Sequence, residues 1–315
     1  MEKIKVGISS CLLGNKVRYD GGHKLDRYLT DTLGRYVDWI PVCPEVEYGL
    51  SIPREAMRLV GREGDCRLVT IRTGVDHTDG MRAWAERRLR DLETLGLAGF
   101  VFKSKSPSSG LRGVKIYGTQ GVPARTGTGI FAKAFTEKFP LTPVEDDGRL
   151  HDPGLRENFV ERLFVFHRWQ GLVGAGRSLA GLVAFHTDHK LLMLSHSPQH
   201  YTELGRLVAR GRELTPEQLY ADYAFLLMEG LTRLATARKN SNVLQHIAGY
   251  FKRQLSSDEK QELLEVIEQY RLGLVPLIVP IVLAKHYVRK YGDPYLKRQW
   301  YLDPHPLELM LRNHV

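Results

Sequence analysis

The 315-residue sequence predicts two domains of different class: an α/β domain over residues 1–148, with a mostly parallel sheet and flanking helices, and an all-α domain over residues 149–315. Three observations carry this. Short β-rich runs alternate with helical ones through the first part of the chain. The stretch "PLTPVEDDGRLHDPG", dense in prolines and charges, then reads as a linker. Beyond it, almost every run spaces its apolar residues three and four apart.

In chain order, "IKVGISS", "VDWIPV", "CRLVTIR" and "AGFVFK" are the strand candidates. Between the last two, Met81, Trp84, Ala85, Leu89, Leu92 and Leu95 form one apolar stripe that Gly96 closes, which predicts an amphipathic crossover helix. "TGTGIFAKAFTEKFP" predicts another, opened by Thr126 or Thr128 and stopped before Pro140. In the second domain the helical runs are "LRENFVERLFVFHRWQ", "SPQHYTELGRLVAR" and the long "TPEQLYADYAFLLMEGLTRLATARKN". Ser256 and Glu259 have capping-box spacing ahead of Leu263, Leu264 and Ile267. "LGLVPLIVPIVLAKHY" is too short and proline-broken for a membrane span and reads as buried helix and turn.

The formal net charge of +9 permits a polyanionic partner without requiring one. "MEKIKVGISSCLLG" passes from charged residues straight into a strand pattern with no signal core, so a cytoplasmic protein is expected. Cys11, Cys43 and Cys66 are an odd set for a disulfide framework, which leaves buried thiols or ligands.

In a Rossmann-like sheet, ligands bind outside the carboxyl ends of the parallel strands. "SSCLLG", "VCPEVEYGL" and "KSKSPSSG" all follow strand candidates, so Cys11, Cys43, Glu45, Ser106 and Ser109 are expected to converge there. The residues alone leave several readings open: small buried thiols and a solvated carboxylate, a metal or iron–sulfur site, or a nucleophile beside Glu45. Cys66 opens a strand at the far end of the sheet and is read as structural.

"SSCLLG", "CPE" and "KSKSPSSG" resemble the three motifs of the thiouracil desulfidase family, in which cysteine stands at the position of Ser109. Residues 151–315 resemble the YbgA-type domain through "FHTDHKLLMLSHSPQHYTELGRLVA", "RKNSNVLQHIAGYFKRQLS", "YRLGLVPLIVP" and "QWYLDPHPLELMLRNH". The resemblance implies a 4Fe-4S cluster on three cysteinyl sulfurs, with one iron open to a thiocarbonyl sulfur, and a redox-neutral hydrolytic desulfuration. Cys11, Cys43 and Ser109 would be the metal and cofactor positions, and Glu45 and Ser106 the catalytic pair. Hydroxyl is a hard, weakly acidic ligand, so the chain with Ser109 is expected to hold the cluster poorly and to be inactive.

A thiolated base inside RNA requires backbone contacts that a free base does not. The leading expectation is therefore a desulfidase of 4-thiouridine in tRNA, with the second domain docking the RNA. Free thiouracil or thiolated nucleotides are the alternative substrates, and a non-catalytic RNA-binding or redox-sensing iron–sulfur protein is the third reading. Read as one helix, "RKNSNVLQHIAGYFKRQL" turns Val243, Leu244, Ile247, Phe251 and Leu255 inward and Lys239, Asn242, His246, Tyr250 and Arg253 outward. That outer side suits phosphates, or is an ordinary solvated face. The histidines of "FHTDHK" and "LSHSPQH" lack companion cysteines, so interhelical hydrogen bonds or RNA contacts are expected there rather than zinc. No membrane or obligate protein partner is expected.

Overall fold

The structure, a computed structural model, describes residues 3–62, 65–118 and 123–314. It divides into two compact units, the first ending at His151 and the second beginning at Asp152.

The strands of the first unit are β1 (Ile4–Ser9), β2 (Val37–Val42), β3 (Met57–Arg62), β4 (Asp65–Thr70), β5 (Gly99–Phe102), β6 (Val114–Tyr117), β7 (Pro123–Gly127) and β8 (Val144–Asp146). Its helices are α1 (Pro44–Tyr48), α2 (Thr78–Leu95) and α3 (Ile130–Lys138). Strands β2-β1-β5-β8 form a wholly parallel sheet. The crossover helix α2 buries Met81, Trp84, Ala85, Leu89 and Leu92 and ends at Gly96, as its spacing predicts. Phe100 and Phe102 meet Phe131 and Phe135 of α3 in an aromatic cluster that fills the core between this sheet and that helix.

Three expectations change. "CRLVTIR" does not join the parallel sheet. As β4 it pairs antiparallel with β3 in a second, mixed sheet of order β4-β3-β6-β7, and Cys66 lies there. The strand β3 was not predicted because "MRLVGR" buries only Leu59 and carries an arginine near each end, so no alternation is legible. The stretch taken as a linker contains β8, an edge strand whose Glu145 and Asp146, with the adjoining Asp147, are buried. Their charges are answered inside the fold, Arg149 Nε meeting Glu145 Oε1 at 3.0 Å and Lys103 Nζ meeting Asp147 Oδ2 at 2.7 Å. Finally, neither Thr126 nor Thr128 opens α3, because β7 occupies the chain as far as Gly127 and Gly129 is the cap. Thr128 Oγ1 instead donates to Leu111 O at 3.1 Å.

The loop after β5 is pinned to the start of α3. Phe131 N donates to Ser108 O at 2.9 Å, Ala132 N to Ser108 O at 3.3 Å and Ile130 N to Pro107 O at 3.3 Å, so donors free at any helix start find partners in loop carbonyls. Gly129 makes the approach possible, since a Cβ there would sit 2.5 Å from Ser108 O.

The second unit consists of α4 (Pro153–Gly174), α5 (Leu179–His196), α6 (Pro198–Ala209), α7 (Pro216–Leu231), α8 (Ala237–Tyr250), α9 (Ser257–Arg271) and α10 (Ile278–Tyr291), followed by short 3-10 turns. Asp152, Ser178, Ser197, Thr215, Thr236 and Ser256 each cap a helix through the side-chain oxygen, and Ser256 with Glu259 completes the predicted capping box. The long predicted run from Thr215 is two helices, parted by residues 232–236, where Thr236 starts α8 afresh. Among the described residues no helix is long and apolar enough to cross a membrane.

Gly129→Ala must push Ser108 O or α3 away, and is expected to destabilise the first unit by about 1–3 kcal/mol. Gly205→Ala, inside α6 with nothing within 4 Å of the added carbon, is expected to be neutral or stabilising. Urea unfolding followed by circular dichroism checks both, and equal midpoints for the two variants would refute the close approach.

Candidate functional site

Three turns that follow adjacent parallel strands build the site. After β1 the chain turns through a 3-10 helix, Ser10–Leu13, which carries Cys11 inward. After β2, Cys43 caps α1, Pro44 supplies its first residue and Glu45 stands in its first turn. Cys43 N donates to Glu47 Oε1 at 2.9 Å, and Arg88 Nε holds Glu47 Oε2 at 2.9 Å, which fixes this turn to α2. After β5 comes the serine loop already tied to α3. Cys11, Cys43, Glu45, Ser106 and Ser109 all line one cavity of about 290 Å³, together with Arg18, Arg54 and Lys103.

A hydrogen-bonded chain runs across the cavity wall. Ser108 Oγ donates to Glu45 Oε1 at 2.5 Å and lies 3.0 Å from Ser106 Oγ, while Ser109 N donates to Ser106 Oγ at 3.2 Å. The second carboxylate oxygen, Glu45 Oε2, lies 3.6 Å from Arg54 Nη2 and accepts from the Cys43 thiol at 3.6 Å. Arg54 is itself anchored by Val17 O at 3.0 Å. Glu45 is therefore oriented through both oxygens. Ser108, fully buried, is the link that sequence reasoning missed. Nothing in the linear motif separates it from its neighbours, because only the fold shows which of the loop serines faces Glu45.

All three cysteines are free. Burial pushes the Cys11 thiol up to about 11, with Lys103 opposing it. Burial first, and Glu45 next, push Cys43 up to about 12. At neutral pH both are thiols, and they become ligands only if a cation displaces their protons. Cys66 does not line this cavity, and its Sγ donates to Arg62 O at 3.0 Å within the second sheet.

The residues expected to face RNA do not share one helical side. Helix α8 ends at Tyr250, because Phe251 leaves the helical conformation, so Arg253 lies exposed in the following turn. Lys239 Nζ donates to His196 O at 2.7 Å and Leu234 O at 2.9 Å, spending its donors on chain ends. Burial lowers its pKa. Asn242 and His246 are exposed on α8. The four histidines of the two motifs make hydrogen bonds within the helical unit. His186 meets Tyr223 OH at 3.2 Å, His189 meets Phe185 O at 2.8 Å, His196 meets Arg233 O at 2.7 Å, and His200 meets Ser197 Oγ at 2.7 Å.

Residues 6–147 match a family model described as 2-thiouracil desulfurase, and residues 190–306 match one described as a protein of unknown function, DUF1722. The uncharacterized protein YbgA of Escherichia coli (strain K12) is 33% identical over 153 residues, 48% of this chain and 90% of its own length. The uncharacterized protein YbbK of Bacillus subtilis (strain 168) is 30% identical over 134 residues, 40% of this chain and 85% of its own. A solved structure of the 4Fe-4S-dependent thiouracil desulfidase TudS is 30% identical, covers 47% of this chain and 94% of its own, and superposes with a TM-score of 0.39.

With a pKa near 11 in place of about 9, the thiolate fraction of Cys11 at pH 8 falls by ~100-fold. Alkylation of Cys11 and Cys43 by iodoacetamide is expected to be slowed at least that much against the urea-unfolded chain, as peptide mapping by mass spectrometry reads directly. The raised values also mean that both thiols favour the folded state below pH 9, and that this contribution is lost as pH rises through about 11 and 12.

Proposed function

The chain belongs to the 2-thiouracil desulfurase family through residues 6–147 and to the YbgA-like DUF1722 family through residues 190–306, and on that premise we propose that it converts 4-thiouridine in tRNA to uridine with release of sulfide. The observation that carries this is the convergence of the three turn motifs on one cavity at the ends of adjacent parallel strands. The reaction is hydrolytic and needs no net electrons. Water oxygen replaces the thiocarbonyl sulfur, which leaves as hydrogen sulfide.

In this reading the Glu45 carboxylate, held by Ser108 and Arg54, takes the proton of the attacking water. The Ser106 hydroxyl, fixed by Ser108 and by Ser109 N, meets the polar edge of the pyrimidine. The resemblance implies a 4Fe-4S cluster at Cys11, Cys43 and position 109, but the donor set does not match three-thiolate ligation. One buried thiol, one half-buried thiol and a hydroxyl line the cavity, and the hydroxyl is hard and ionises far above neutrality. In this reading the chain is a desulfidase scaffold whose cluster ligation is one sulfur short.

Two features support RNA as the carrier of the thiolated base: the net charge of +9 and a helical unit that a free base does not need. Asn242, His246 and Arg253 remain exposed for such contacts. The family description and the cavity of about 290 Å³ favour free thiouracil or a thionucleotide as the second reading.

Anaerobic reconstitution of the chain and of Ser109→Cys, followed by iron and sulfide counts and nucleoside analysis of thiolated tRNA, tests the assignment. The chain itself is expected to hold little cluster and turn over little, and Ser109→Cys to gain both. Glu45→Gln added to Ser109→Cys should keep the cluster spectrum and lose turnover by ~100-fold or more. Equal iron and equal activity with and without the substitution would remove position 109 from the ligand set. Activity of Ser109→Cys on free thiouracil but not on tRNA would establish the second reading. Binding of tRNA is expected to weaken steeply with salt, and Arg253→Ala to reduce the salt slope by about 1, as filter binding at several salt concentrations reports.

A further inference from the structure

A second cluster of chemistry-bearing side chains lies within the helical unit, apart from the cysteine cavity. Helix α4 carries Glu157 and Glu161 one turn apart, on one face. Glu161 is buried, with Oε1 accepting from Arg312 Nη2 at 2.9 Å and Oε2 facing His196 Nε2 at 3.0 Å. Glu157 Oε2 meets His314 Nε2 at 2.8 Å, and Oε1 lies 3.4 Å from Arg312 Nε, too poorly aligned for a hydrogen bond. A ring nitrogen of His305 and one oxygen of each carboxylate all lie within 4.8 Å of one another.

The imidazole of His305 has an unusual position in this group. Its Nδ1 faces the carbonyl of Pro306 at 3.2 Å, and a carbonyl can only accept, so Nδ1 carries the proton and Nε2 is the lone-pair nitrogen of a neutral ring. Nε2 is buried and has no hydrogen-bond partner among the described residues. A buried acceptor beside two carboxylates, with no donor of its own, leaves a lone pair open to a cation.

We propose that Glu157, Glu161 and His305 bind a divalent first-row transition-metal ion, with zinc the natural occupant of a site made of one imidazole nitrogen and two carboxylate oxygens. The supporting groups are present. His196 holds one oxygen of Glu161 and His314 one oxygen of Glu157, as outer groups do when they orient metal ligands. Arg312 faces both carboxylates, with His196 on Glu161 and His314 on Glu157, so an ion would have to share them with these groups. An ion bonded at ~2.1 Å draws each donor inward by less than about 1 Å. Glu157, Glu161 and His196 border a cavity of about 200 Å³ and His305 a separate one of about 40 Å³, with Arg312 lining both. The ion would fasten the segment around His305 to α4.

The test uses Co2+ as the probe, titrated anaerobically into the chelator-treated full chain. One equivalent is expected with the visible bands of nitrogen and oxygen ligation, and without the near-ultraviolet charge transfer that a Cys11 or Cys43 thiolate would add. His305→Ala and Glu157→Gln should each weaken this equivalent by ~100-fold or more, while Cys11→Ser with Cys43→Ser leaves it unchanged. Among the described residues His305 bonds only its neighbour's carbonyl, so His305→Ala in chelator should melt with the parent, which separates ligand loss from unfolding. Three results overturn the proposal: no such equivalent, an equivalent unaffected by His305→Ala, or one lost only with the cysteines. Each would leave Arg312 as the cation that answers the two carboxylates.

Discussion

The candidate site depends on one contact, the docking of the first turn of α3 onto the carbonyls of the serine loop. The backbone donors of Ile130, Phe131 and Ala132 have no partners within their own helix, and Pro107 O and Ser108 O satisfy them. Gly110 and Gly129 let the backbones come this close, since a Cβ on either would fall within 2.6 Å of a loop carbonyl oxygen. Held this way, Ser108 turns its hydroxyl to Glu45 across 63 residues of sequence, and so couples the turn after β5 to the turn after β2. Adjacent parallel strands alone would bring the three turns near one another, but the helix start decides which side chains meet.

Burial then sets the chemistry of those side chains. The thiols of Cys11 and Cys43 sit deep enough to remain protonated, so a metal must be present to make them ligands. In the acidic run Glu145–Asp147, Arg149 and Arg112 meet Glu145, and Lys103 with the Ser104 N–H holds Asp147 below the usual carboxylate range against burial, whereas burial raises Asp146. Ser109 shows that fold and chemistry are separable at one atom. Its backbone N–H bonds Ser106 Oγ and its hydroxyl lies near Ser108 Oγ, so the loop is satisfied with oxygen at a position where the family has sulfur. What oxygen cannot supply is a soft, charged donor.

In the helical unit the same economy of buried charge ties distant segments together. Glu161 on α4 meets His196 at the end of α5 and Arg312 near the C-terminal end, and Arg312 Nη1 also donates to Tyr301 O at 2.6 Å. Removing one member of such a group strands a charge in the interior, which costs far more than losing a surface pair. Lys239, half-buried, joins this bonding through His196 O, while Asn242, His246 and Arg253 are the exposed members of the expected RNA set.

Local features were legible in the sequence by themselves, since their causes lie within a few residues. The stripe of α2, the capping box at Ser256 and the placement of Cys11, Cys43 and the serine loop after strands follow from periodicity, caps and turns. The second sheet, the burial of the acidic β8, the break before Thr236 and the end of α8 before Arg253 were not, because composition cannot show which charges find partners or where a helix loses its packing. The link from Ser108 to Glu45 and the meeting of Glu157, Glu161 and His305 were decided only by tertiary structure. Each joins residues far apart in the chain, and whether a hydroxyl or an imidazole nitrogen is buried, and what it then faces, depends on segments that local pattern does not relate.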